Sequence, residues 1–245
     1  MHLRILGFNS PYPPPGGAGP GYLLEAGSSK ILLECGSGVV SRLKTYCDFR
    51  RGELDAVVIS HLHPDHFADL LVLRYAHHRN MLETGVAPLP VFAPAEPALE
   101  RAVLEYKSLQ VTTIEAGTST NIEGFEFTFF ATDHAIPCQA MRISHAGRTL
   151  FYTADTAYDQ SLVEAARGAD LLMAEASFLT RDKGANVPKH MTAAECGQMA
   201  SAAGVRRLLL THFWPEYDTA DLLREAQEHF DGEIIVAANL LPVKV

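Results

Sequence analysis

His61-Leu62-His63-Pro64-Asp65-His66 is the stretch that decides how this chain folds. It follows Ala56-Val57-Val58-Ile59, a short apolar run that reads as a buried strand. Four potential ligands within six residues cannot share one face of a strand or a helix, where side chains alternate or spiral. On a turn between a strand and a helix they can converge from different backbone directions. Imidazole and carboxylate suit zinc and other first-row divalent ions, so the hexapeptide reads as a metal-binding turn rather than a histidine-rich polar loop. The helix predicted after it spans 66–79, with Leu70, Leu71 and Leu73 on its apolar side.

Upstream, residues 2–8 read as a strand, and Tyr22–Ala26 with Lys30–Glu34 as a hairpin around Gly27-Ser28-Ser29. Between them, Asn9-Ser10-Pro11-Tyr12-Pro13-Pro14-Pro15-Gly16-Gly17-Ala18-Gly19-Pro20-Gly21 must be a loop. Its glycines could offer N–H groups to a phosphate or brace a subunit contact, but Pro20 interrupts any continuous run of donors; a bare surface loop is the plainest reading. Residues 38–50 read as helix, Val91–Ala93 as strand and Pro97–Lys107 as helix. The middle is strand-rich: Gly124–Ala131, Gln139–Ser144 and Thr149–Thr153. The last third alternates helix 158–167, strand 170–175, helix 192–203, strand 206–211, helix 218–228 and strand 233–236. Strands end in histidine in both halves, at Val58-Ile59-Ser60-His61 and Leu209-Leu210-Thr211-His212. This pattern predicts one α/β domain over 1–245, with two sheets face to face and helices outside. A doubly wound parallel sheet competes, but the clustered middle strands argue against it.

Composition sets the limits. Of 245 residues, 47% are apolar, enough for a sizeable core. Lys and Arg number 20 against 29 Asp and Glu, so the net charge of −9 opposes a broad nucleic-acid surface. No apolar run approaches the ~18–20 residues of a membrane span, and the N-terminus lacks the features of a signal peptide. Cys35, Cys47, Cys138 and Cys196 form no C-x-x-C pair, so reduced thiols in a cytoplasm are expected.

H-x-H-x-D-H after a strand resembles the signature of the metallo-β-lactamase fold, an αββα sandwich with a metal site at one edge. The resemblance implies three further ligands at strand ends, and they occur in order: His134 in Ala131-Thr132-Asp133-His134, Asp155 in Thr153-Ala154-Asp155, and His212 in Leu210-Thr211-His212-Phe213. Carried over residue by residue, His61, His63 and His134 would hold one divalent ion. Asp65, His66 and His212 would hold the second, with Asp155 bridging both. Zinc is the default metal, and Mn2+, Fe2+ or Co2+ suit the same donors. Glu34 stands where this superfamily usually has aspartate, which bears on how the ligands are supported.

Fold does not fix reaction; three further motifs point to a branch of the superfamily. Ala174-Glu175-Ala176-Ser177-Phe178 ends a predicted strand, and Lys189-His190-Met191-Thr192-Ala193-Ala194-Glu195 opens a predicted helix. Thr192 and Glu195 read as a capping box, which leaves His190 without a structural assignment. Together with Asp133-His134-Ala135-Ile136-Pro137-Cys138, these resemble the ribonuclease Z-like branch, in which such a glutamate orients such a histidine. The resemblance implies a hydrolase in which a hydroxide shared by two metals attacks phosphorus, Asp65 helps orient it, and His190, held by Glu175, protonates the leaving group. The branch's Gly/Pro-rich arm for transfer RNA has no room in the about twenty residues between His134 and Asp155, and Phe213-Trp214-Pro215 stands where a serine and a basic residue are typical. Expected, then, is a cytoplasmic phosphodiesterase of small phosphodiesters such as cyclic nucleotides, with large nucleic acid and membrane disfavoured and a homodimer left open. Hydrolysis of a thioester, lactone or β-lactam, transfer-RNA 3′ processing, and metal binding without turnover are the alternatives.

Overall fold

The apolar run before the hexapeptide is a strand in the computed structural model, which describes residues 1–184 and 189–245. It belongs to the first of two compact units, Met1–Ile114 with Asn239–Lys244; the second is Glu115–Ala238 with Val245. In chain order the first unit holds β1 (His2–Gly7), β2 (Gly21–Ala26), β3 (Ser29–Leu33), α1 (Val39–Leu43), β4 (Ala56–Val58), α2 (Pro64–Phe67), α3 (Leu70–Thr84), β5 (Leu89–Ala93), α4 (Ala98–Ala102) and β6 (Leu109–Thr113). The second holds β7 (Ser119–Ile122), β8 (Phe125–Ala131), β9 (Gln139–His145), β10 (Arg148–Tyr152), α5 (Gln160–Ala166), β11 (Leu171–Glu175), α6 (Ala193–Ala203), β12 (Arg207–Thr211), α7 (Thr219–Gln227) and β13 (Glu233–Val236). Finally β14 (Pro242–Lys244) joins the first unit.

Each unit is built on a seven-stranded mixed sheet, ordered β14-β1-β2-β3-β4-β5-β6 in the first and β13-β12-β11-β10-β9-β8-β7 in the second. Pairing is antiparallel from β14 through β3 and parallel from β3 to β6. The second sheet repeats the plan: antiparallel from β7 through β10, parallel from β10 to β13. The echo between half-chains thus has a topological basis, and the antiparallel middle strands exclude a doubly wound parallel sheet.

Register explains why these residues form these sheets. In the first unit Leu23, Leu32, Val57 and Val91 are direct cross-strand partners, forming one fully buried row. That row lies in the same core as Leu43, Leu70 and Leu73 of the helices. In the second unit Phe127, Ile143, Leu150 and Leu171 form the equivalent buried row. Each such side chain contributes about 1.5–3 kcal/mol on burial, and a one-residue slip would turn a whole row to the opposite face.

This topology positions the chemistry. Strands β10, β11 and β12 run parallel, so Asp155, Glu175 and His212, at or just beyond their C-terminal ends, gather at one sheet edge. Two antiparallel pairings separate β8 from β10, so β8 points the same way and delivers His134 to that edge. By the same reasoning β3 and β4 bring Glu34 and His61 to one edge of the first sheet, and β1 releases the Pro/Gly loop there. Ligands at the carboxyl ends of parallel strands are the general rule for such sheets.

Some predicted elements differ in extent. The helix expected over 38–50 is only α1 and a 3-10 turn at Phe49–Arg51, whose start Asp48 caps by accepting from Arg50 N–H. The helix expected over 66–79 is split into α2 and α3. Asp69 between them accepts from Val40 N–H at 2.9 Å, so it serves α1 instead. The helix expected over 97–107 stops at Ala102, and β6 follows it. The capping box of α6 is present, with Thr192 and Glu195 each accepting from the other's backbone N–H. Among the described residues no helix is long and apolar enough to cross a membrane.

Candidate metal centre

In the first unit the hexapeptide spans the β4–α2 turn. His61 and His66 are buried, while His63 and Asp65 are partly exposed. Ser60 Oγ lies 2.9 Å from His61 Nδ1, and His61 Nε2 lies 3.0 Å from His63 Nδ1. Asp65 Oδ2 is 3.7 Å from His66 Nε2 and accepts from Ser10 Oγ at 2.9 Å. Glu34 supports the turn from beneath: its two oxygens accept Ser60 N–H at 3.2 and 3.3 Å, and Oε2 is 3.6 Å from His66 Nδ1. The longer side chain at this position therefore still reaches the ligand turn. Glu34 adopts φ 57°, a left-handed conformation costly for a residue other than glycine.

In the second unit, Asp155 presents its two oxygens to different histidines. Oδ1 is 3.3 Å from His212 Nε2 and Oδ2 is 3.9 Å from His134 Nε2. Ala154, which sets the direction of Asp155, has φ 50°, and His212 itself has φ 57°. Glu34, Ala154 and His212 are three of the six described residues other than glycine with positive φ, and all three lie just beyond strand ends next to the candidate ligands. Glu175 is fully buried and is the hub of the unit. Its Oε1 accepts from His190 Nδ1 at 2.8 Å and Thr156 N–H at 3.2 Å, and its Oε2 from Ser177 N–H at 3.1 Å and Ser177 Oγ at 2.7 Å. With Nδ1–H committed to Glu175, His190 presents Nε2. The His190 side chain is 16% exposed and its Nδ1 lies 3.9 Å from Asp155 Oδ2.

These donors fit divalent ions. Two nitrogens bound to one tetrahedral ion at about 2.0–2.1 Å lie roughly 3.3 Å apart, close to the 3.0 Å between His61 Nε2 and His63 Nδ1. A carboxylate whose oxygens face two separate imidazoles has the form of a bridge. The donors are nitrogen and oxygen only, as expected of zinc, manganese or iron sites.

Residue-type patterns missed the serines. Ser177 Oγ donates to Glu175 and also lies 2.9 Å from His212 Nδ1, so it accepts that N–H and directs His212 Nε2 toward Asp155. Ser10 and Ser60 act on Asp65 and His61 in the first unit. Two histidines away from these clusters make structural contacts: His77 bonds to Ala87 O and His145 to Gly124 O. Trp214 is 41% exposed, its ring edge-on to Tyr217 at a centroid distance of 5.4 Å. The chain between His134 and Asp155 is the β9–β10 hairpin, with no arm.

Residues 29–213 match the Beta-lactamase superfamily domain, and the chain belongs to that superfamily, with the metallo-β-lactamase αββα fold. It is a metal-dependent hydrolase of the ribonuclease Z-like kind, with a His/Asp metal site. Among its relatives is the probable metallo-hydrolase YhfI of Bacillus subtilis (strain 168), 35% identical over 98% of each chain. The crystal structure of YhfI superposes with a TM-score of 0.92, covering 99% of both chains at 31% identity. Ribonuclease Z of Mycobacterium bovis (strain BCG / Pasteur 1173P2) is 29% identical over 100% of this chain and 98% of its own. Human short-form tRNase Z shares the fold, with a TM-score of 0.78 and 20% identity over 100% of this chain and 99% of that one.

Proposed function

We propose that this hydrolase is a phosphodiesterase of small phosphodiesters such as cyclic nucleotides. His61, His63 and His134 would hold one ion and Asp65, His66 and His212 another, Asp155 would serve both, and zinc is the default metal. When bound, two such ions supply a hydroxide at neutral pH and take up charge on the non-bridging phosphate oxygens. Asp65 orients the attacking group. His190 then delivers its Nε2 proton to the leaving alkoxide, while Glu175 holds the imidazole in the required tautomer and stabilises the protonated ring.

The observation that carries this reading is the 2.8 Å contact between Glu175 and His190, beside Asp155. A poor alkoxide leaving group needs such a proton donor. The net charge of −9 and the hairpin in place of an arm favour a small substrate over RNA. We place the protein in the cytoplasm, where its four buried free cysteines would stay reduced.

The test is a hydrolysis panel on protein of defined metal content: cyclic nucleotides, bis(p-nitrophenyl) phosphate, a lactoyl thioester, a lactone and a chromogenic β-lactam. Diester turnover well above the other arms is expected. Preferential turnover of the thioester, lactone or β-lactam would overturn the phosphodiesterase reading.

One observation favours a second reading of His190. Asp155, His190 and His212 each place a ligand atom within 4.8 Å of the others, so His190 could itself hold an ion. Metal analysis of His190→Ala separates the two: a proton donor can be removed with metal content intact, a ligand cannot.

A further inference from the structure

The Pro/Gly-rich stretch Asn9–Gly21 has no part in the chemistry above, yet the fold gives it a defined place. Phe8 and Asn9 N–H both donate to Ala18 O, at 3.1 and 3.2 Å, so the loop closes on itself. Gly19 N–H donates to Ser37 O at 2.8 Å, and Gly36 N–H to Pro20 O at 2.9 Å, pinning the loop to the segment after β3. Two glycines exist there for a steric reason. A Cβ on Gly36 would lie 2.2 Å from Asp65 O, and one on Gly19 would lie 3.1 Å from the same atom. The loop is therefore packed directly against the backbone of the ligand turn.

From that loop Ser10 Oγ donates to Asp65 Oδ2 at 2.9 Å, and Oδ2 is the oxygen 3.7 Å from His66 Nε2. Asp65 sits in the first turn of α2, where helix N–H groups compete for a carboxylate. A donor outside the helix can hold the carboxylate away from them. We propose that Ser10 is a positioning residue: its hydroxyl fixes the Asp65 side chain beside His66 by donating to Oδ2. The Pro/Gly loop is then a rigid arm that carries this hydroxyl, not a phosphate cradle. The inference rests on the two-ion reading and names a determinant of one of its two positions.

The test reads metal binding, not turnover. Metal-free wild type, Ser10→Ala and Ser10→Thr are titrated with zinc against a chromophoric chelator, and cobalt spectra are recorded at each equivalent. Wild type should bind two ions. Ser10→Ala should weaken one of them about 10–100-fold, the range for losing a hydrogen bond to a metal ligand, and leave the other within twofold. Ser10→Thr, which keeps the hydroxyl, should restore both. Should Ser10→Ala fail to fold, Ser10→Gly takes its place, which also removes the hydroxyl and brings in no metal-binding group. Two wild-type affinities in the alanine variant would overturn the inference. So would equal weakening of both ions, which a displaced loop would give, or no rescue by threonine. Wild type binding fewer than two ions would instead sink the two-ion reading, and with it the position Ser10 is said to serve.

Discussion

Replacing His190 by alanine removes the Nε2 proton source and leaves Glu175 with its three remaining donors, from Thr156 N–H, Ser177 N–H and Ser177 Oγ. The buried carboxylate therefore stays satisfied, and the loss should fall on chemistry rather than on folding. A positioned general acid contributes about 10²–10⁴-fold, which corresponds to ~2.7–5.4 kcal/mol of barrier at 1.36 kcal/mol per tenfold. The short 2.8 Å Glu175 contact and the slight exposure of the ring put His190 toward the upper half of that range for an alkoxide leaving group. For bis(p-nitrophenyl) phosphate, whose phenolate departs without a proton, the loss should be about tenfold or less. The assay compares kcat for a cyclic nucleotide and for the activated diester, with metal content and thermal midpoint measured on the same samples. Equal losses on both substrates, at unchanged metal content, would refute the proton-donor role.

Asp155→Ala should drop zinc content from two ions to one or fewer by elemental analysis, because its two oxygens face His212 and His134 separately; two retained ions would exclude a bridge. Ser177→Ala should weaken zinc affinity about 10–100-fold through loss of the acceptor at His212 Nδ1, read by chelator competition, and Ser177→Thr should recover most of it. Burial pushes the Cys35 and Cys196 thiols well up, and raises Cys47 to about 11. Raised thiol pKa values mean little thiolate at pH 8, so native protein should react with iodoacetamide far more slowly than denatured protein, at a rate that climbs with pH.

The hexapeptide was legible because its candidate ligands are consecutive and its strand is apolar; nothing distant had to be known. His134, Asp155 and His212 were legible only through the resemblance, since a single histidine or aspartate after a strand has many structural uses. The serines were not legible at all. A hydroxyl that supports a ligand carries no spacing rule, and Ser10 lies 55 positions from the carboxylate it meets. The missed strands have a common cause. β6, β7 and β14 are all outermost strands: β14 and β6 close the two ends of the first sheet, and β7 closes one end of the second. Their sequences, Leu-Gln-Val-Thr-Thr, Ser-Thr-Asn-Ile and Pro-Val-Lys, are short and carry one or two apolar residues each, and the neighbouring strand supplies the order that so short a pattern cannot signal. Helix ends were misplaced where an aspartate was drawn to another segment, as Asp69 is to Val40.

The two units gather their candidate ligands in unlike ways. The first takes four from six consecutive residues, so its turn can be near its final shape as soon as β4 has paired. The second takes His134, Asp155 and His212 from the ends of β8, β10 and β12, which come together only when the intervening strands are in register. An ion that draws a ligand from any of those residues would have affinity for the paired sheet and little for the unfolded chain. Each hundredfold excess of free ion over its dissociation constant then adds about 2.7 kcal/mol to folding. Metal supply thereby becomes a control on how long this protein lasts in the cell, separate from how fast it turns over substrate.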